Sequence, residues 1–176
     1  SSANTGQPPA AAKSDASPWS DAQVARLRNQ AQEVLAELLE LQFALQERGV
    51  EQWAPAPFAE VKAIAEDADA LYKNRHYEQA VAGYQQGLAS LQALQETMPQ
   101  ELKRRLEQAQ QAIDRGDATA ANDALQLAAL IAPDNSDIAT LRQRAEVMPK
   151  LLPLLQAAAT AEAAGDLATA QQLLQQ

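Results

Sequence analysis

Two stretches, "RGDATAANDAL" at 115–125 and "AGDLATAQQLL" at 164–174, carry the same figure. In each a Gly-Asp pair, Gly116-Asp117 or Gly165-Asp166, separates two alanine-rich apolar runs. The glycine suits the left-handed conformation that closes one helix, and the aspartate suits the cap of the next, where it accepts from free backbone N–H groups. Small residues four past the aspartate (Ala121, Ala170) and seven before the glycine (Ala109, Ala158) allow two helices to approach closely. A joint that recurs points to an all-α protein of antiparallel helical hairpins, an architecture rather than a reaction.

Composition agrees with this reading. The 176 residues suffice for one domain or a short stack of repeated units sharing a core. Apolar residues make up 47% but aromatics only 4%, so the interior must be built mainly of alanine and leucine, which suits helices better than strands. A net charge of -9 repels phosphate backbones and anionic membrane surfaces, which argues against nucleic-acid binding. Cysteine is absent, which excludes disulfides and thiolate metal sites. No stretch approaches the roughly 18 to 20 apolar residues of a membrane span.

Residues 1–19 are biased to serine, alanine and proline without apolar periodicity, and are expected to form a flexible linker to an upstream anchor. Residues 20–56 read as one long N-terminal helix followed by a proline corner. Ser20 is the expected N-cap, with Gln23 completing a capping box and Trp19 stapled onto Val24. Gly49 stops the helix after Arg48, and Trp53 and Phe58 plug the corner. Val24, Leu27, Ala31, Val34, Leu38, Leu41 and Leu45 follow a heptad, so a homodimeric seam is one reading of this helix. Leu35, Leu39 and Phe43 widen the apolar surface beyond such a seam and favour packing on the chain's own next helices.

From 57 to 176 helices are expected near 57–74, 77–96, 99–115, 118–132, 136–148, 150–164 and 167–176. Thr97 and Gln100 read as a capping box with Pro99 opening the next helix, and Pro133 and Pro149 as punctuation. The last helix lacks a stop signal and a polar outer face, so the chain is expected to continue past it.

This segment resembles the tetratricopeptide repeat (TPR), a helix-turn-helix unit of about 34 residues. Its small positions fall on Ala109, Ala121 and Ala128 in a unit from about Leu102, and on Ala68, Ala80 and Gly87 in a unit from about Val61. A third unit from Leu151 supplies Ala158 and Ala170. The turn positions Arg75, Gly116 and Gly165 lie farther apart than the family's period, and the second interval holds the extra segment "SDIATLRQRAEVM", expected to interrupt the stacking. The resemblance implies a short, irregular α-solenoid whose concave face binds a partner. The family's ligand-facing positions map to Lys62, Ala65, Asp69, Tyr72 and Lys73; to Lys103, Leu106, Gln110, Ile113 and Asp114; and to Leu152 and Leu155 among the last set. The asparagine and lysine pattern that clamps a peptide's terminal carboxylate in some members is missing, since Asp69, Gln110 and Ala159 stand at the ninth positions.

Materials for catalysis are thin. His76, the sole histidine, reads as a solvated turn residue, and one histidine without cysteine makes no zinc site. Glu60, Glu66, Asp67 and Asp69 share a helix, where carboxylates splay instead of converging as a Ca²⁺ loop requires. Tyr72, Tyr77 and Tyr84 read as core. No metal, cofactor or catalytic set is expected. The expectation is a non-catalytic module binding a peptide or protein partner on a concave helical surface, with self-assembly through the N-terminal helix as the alternative. The leader and the alanine-, glutamine- and leucine-rich body resemble bacterial envelope proteins, which implies a tethered periplasmic domain; a cytoplasmic one is the alternative.

Overall fold

The computed structural model describes residues 17–165 and 167–175. Most of the expected linker, Asp166 of the second joint and the side chain of Ala170 therefore lie outside the described residues. Of the described residues 89% are helical and none lies in a strand. The helices are α1 (Pro18–Glu47), α2 (Val50–Trp53), α3 (Pro55–Lys73), α4 (Tyr77–Asp114), α5 (Ala118–Ile131), α6 (Ser136–Ala163) and α7 (Leu167–Leu174). None of them is long and apolar enough to cross a membrane.

Helix α1 starts earlier than Ser20. Ser17 is its N-cap, accepting from the Ser20 N–H at 3.2 Å. Pro18 at the first helical position fixes the choice, because its ring sets a helical φ where a missing N–H costs nothing. Ser20 is then inside the helix, where its hydroxyl donates to the Ser17 carbonyl. Trp19 and Val24 are 72% and 49% exposed, so they form no staple. At the other end Gly49 adopts φ 75° after Arg48 and turns the chain into α2. The Trp53 indole donates to the Arg48 carbonyl at 2.9 Å, and Trp53 and Phe58 are buried in the corner.

Two expected joints are absent. Residues 77–96 and 99–115 belong to one helix, the 38-residue α4, which passes through Pro99 and spans about 57 Å. Thr97 does not cap; its hydroxyl donates back to the Leu94 carbonyl at 2.7 Å. The apolar stripe explains why the helix survives the proline. Leu91, Leu94, Met98 and Leu102 follow helical spacing across Pro99 and pack into one core, and that burial outweighs the single backbone hydrogen bond proline removes. In the same way α6 passes through Pro149 and Pro153 and unites the segments expected at 136–148 and 150–164.

The long helices are shared between two groups. Against the first half of α4 lie α3, which runs antiparallel with Ala68 at Gly83 and Ile64 at Gly87, and α1, whose Leu38 also meets Gly87. Because the tight corner reverses the chain between α1 and α3, α1 runs parallel to α4. Tyr84, Leu38, Leu45 and Leu91 are the largest side chains sealed in this core. Against the second half of α4 lie α5, antiparallel after the Gly116-Asp117 turn, and the first half of α6. Gly116 has φ 78° and Asp117 accepts from the Ala120 N–H at 3.0 Å, so this joint has the caps its residues suggest. The second core is mostly alanine, with Leu125, Ile138 and Leu141. Leu102 packs against both cores, and the Arg48 guanidinium donates to the Ile131 carbonyl, tying the corner to the end of α5.

Candidate functional site

Helices α4 and α6 run in the same direction on one side of α5. Arg144 on α6 lies level with Gln110 on α4, and farther along Leu152 meets Gly116. Both helices are packed on α5, but they touch each other at fewer places, so a groove stays open between them. It has two cups. The first, about 440 Å³, has Leu102, Leu106 and Leu141 as its apolar lining. The second, about 530 Å³, has Ile113, Val147, Met148 and Leu151. Val147 and Leu151 are each 41% exposed, so the apolar lining of the second cup is open to solvent.

A polar bridge separates the cups. Arg144 Nη1 donates to Gln110 Oε1 at 3.0 Å, and Gln110 Nε2 donates to Asp114 Oδ1 at 2.8 Å. The groove's other cation, Lys103, is 3.9 Å from Glu107 Oε1. Asp137 and Glu107 line the first cup and Asp114 the second, so the Arg144 cation at the middle is flanked by carboxylates on both sides. Near its upper end Glu101 accepts from both Arg104 and Arg105. Burial raises the Glu101 pKa, but those two hydrogen bonds outweigh it and hold the carboxyl below the usual carboxylate range.

Five of the expected partner-facing residues, Lys103, Leu106, Gln110, Ile113 and Asp114, meet in this groove. Leu152 packs at the α4–α5 turn, and Leu155, one turn past Leu151, is exposed. The five residues on α3 do not join them, and Ala65 is partly buried against the first core. Asp69 accepts from the Tyr84 hydroxyl, and the Tyr72 hydroxyl accepts from Gln32 at 2.7 Å while its ring stacks edge-on against Tyr77. Lys62 and Lys73 are exposed. The segment 136–148, expected to interrupt the stacking, forms the groove's second wall, contributing Thr140, Leu141 and Arg144. The signal for this was present: Leu141, Ala145, Met148 and Leu152 keep helical spacing straight through Pro149.

The heptad stripe of α1 lies largely inside the molecule. Leu38 and Leu45 are buried, Val34 and Leu41 are partly buried against the same core, Leu27 is half-buried, and Val24 is exposed. A dimer seam made of these residues would require the first core to open. His76 is exposed at the start of α4 and does not cap it. Among the described residues no three His, Asp or Glu side chains converge as metal ligands would. Comparisons with family models, with curated proteins and with solved structures gave no match.

Proposed function

We propose that this chain is a non-catalytic interaction module that holds a helical segment of a partner protein in the groove between α4 and α6. The observation that carries this reading is an apolar floor left open to solvent between two helices that are both packed on α5. On this reading α4, α5 and the first half of α6 act as one irregular TPR-like stack, the two parallel helices presenting a concave face and α5 backing it. Apolar grooves of this kind take amphipathic helices, whose association is driven by burial of the apolar face. Self-association through the α1 heptad has less support, since its central leucines are already buried.

The test uses a displayed library of helical peptides selected on the intact protein. Binders should lose affinity for the double variant Val147→Glu, Leu151→Glu, whose unfolding midpoint should stay close to that of the parent because both side chains are exposed. Binders indifferent to that variant would place the interaction elsewhere and overturn the groove.

A further inference from the structure

The groove repeats itself with a fixed interval. Leu106 and Ile113 on α4 are seven residues apart, and so are Leu141 and Met148 on α6. The first of each pair lines one cup and the second lines the other. Seven residues are two helical turns, about 10.5 Å. Midway between the cups, on both walls, stand Gln110 and Arg144. A helix laid along this groove meets an apolar cup, then a cation, then an apolar cup.

Arg144 is the groove's available positive charge. Its guanidinium gives one hydrogen bond to Gln110 and forms no ion pair among the described residues, whereas Lys103, at the outer part of the first cup, lies 3.9 Å from Glu107. Guanidinium has five N–H donors and no acceptor, so the partner group it suits best is a carboxylate. The groove's carboxylates, Asp137 and Glu107 in the first cup and Asp114 in the second, one turn past Gln110, flank Arg144 on both sides and disfavour acids away from it.

We infer that the occupant is an amphipathic helix with apolar side chains at positions i and i+7 and an aspartate or glutamate at i+3 or i+4, set over Arg144. This rests on the groove reading and adds the chemistry of its ligand. The apolar pair supplies affinity by filling the cups, and the acid fixes the register, because a shift of one turn would bring the carboxylate into an apolar cup or beside Asp114.

Sequencing the selected peptides tests the inference separately from the groove. The expected result is enrichment of an apolar residue, an acid three or four positions later, and an apolar residue at the seventh. Arg144→Glu should weaken such a peptide about tenfold or more, the scale of a lost charge-assisted hydrogen bond. Selection repeated on that variant should enrich lysine or arginine at the middle position. Peptides that depend on Val147 and Leu151 but show no central acid, or bind Arg144→Glu equally well, would overturn the inference and leave the groove standing. Binders indifferent to both variants, or no binders, would overturn both.

Discussion

Leu38 meets α4 at Gly87 so closely that a Cβ on Gly87 would stand 2.8 Å from Leu38 Cδ1 and 3.7 Å from Ile64 Cγ2. Three helices converge at this point, and the glycine is what lets them. Gly87→Ala should gain about 1 kcal/mol in helix propensity, yet overpacking a core with a fully buried leucine costs about 1 to 3 kcal/mol. A small net destabilisation is expected. Leu38→Ala alone should cost about 2 to 5 kcal/mol. The two together should cost less than their sum, because the alanine at 38 leaves room for the methyl at 87. Urea unfolding of the four proteins in this cycle measures the coupling, and strict additivity would mean that the contact does not form.

The turn between α3 and α4 is made by Arg75 at φ 62°, and the turn between α4 and α5 by Gly116 at φ 78°. Opposite substitutions should therefore have opposite signs. Arg75→Gly relieves a left-handed conformation that costs a non-glycine residue about 1 to 2 kcal/mol, partly offset by extra freedom in the unfolded chain, so a gain of roughly 0.5 kcal/mol is expected. Gly116→Ala imposes that strain and also sets a Cβ 2.9 Å from Leu152 Cδ1, so it should lower stability by more than 1 kcal/mol. Thermal midpoints of both variants moving in the same direction would contradict this account.

Tyr84 donates its hydroxyl hydrogen to Asp69 from a buried position. Burial first, and then the hydrogen bond and charge of Asp69, push its pKa well above the usual value. A group that holds its proton more tightly when folded adds stability below its unfolded pKa, about 10 for tyrosine, and loses that contribution as pH rises further. Tyr84→Phe should cost about 1 kcal/mol at neutral pH, through the lost hydrogen bond. Above about pH 10 the gap between parent and variant should close. Urea midpoints from neutral to alkaline pH check this; a constant gap would show that the hydroxyl and Asp69 are not coupled.

The parts of the fold legible in the sequence are those whose cause is local. Gly116-Asp117 closes and caps in two residues, and Gly49 stops α1 where a left-handed residue is needed, so both could be read without knowing what packs nearby. Ser17 and Ser20 were each able to cap, and only Pro18 between them decided the matter. What escaped reading depended on tertiary burial. Thr97, Pro99 and Gln100 have the residue types of a helix start, but the cores on either side of Pro99 hold the chain helical. For the same reason the second wall of the groove was hidden behind an apparent joint at Pro149. Asp69 and Tyr72 fall at ligand-facing positions of the repeat pattern, yet position along a helix does not reveal that Tyr84 and Gln32 already engage them.

Continuity of α4 at Pro99 has a direct thermodynamic signature. If residues 97–100 formed a cap, proline would occupy the first helical position, where it is well tolerated, and Pro99→Ala would change stability little. Inside an uninterrupted helix proline removes one backbone hydrogen bond and is about 3 kcal/mol less favourable than alanine. Pro99→Ala should then raise stability by about 1 to 3 kcal/mol, the lower part of that range applying if the helix has already adjusted its backbone around the ring. Thr97→Ala adds a second discrimination. An N-cap serine or threonine is worth about 1 kcal/mol, whereas a hydroxyl bonded back to the Leu94 carbonyl from within a helix slightly destabilises it, so this substitution should be neutral or weakly stabilising. Urea unfolding of both variants separates the two structures. Loss of stability in Thr97→Ala with no gain in Pro99→Ala would restore a joint at this position, divide α4 in two, and remove the shared helix on which both cores and one wall of the groove are built.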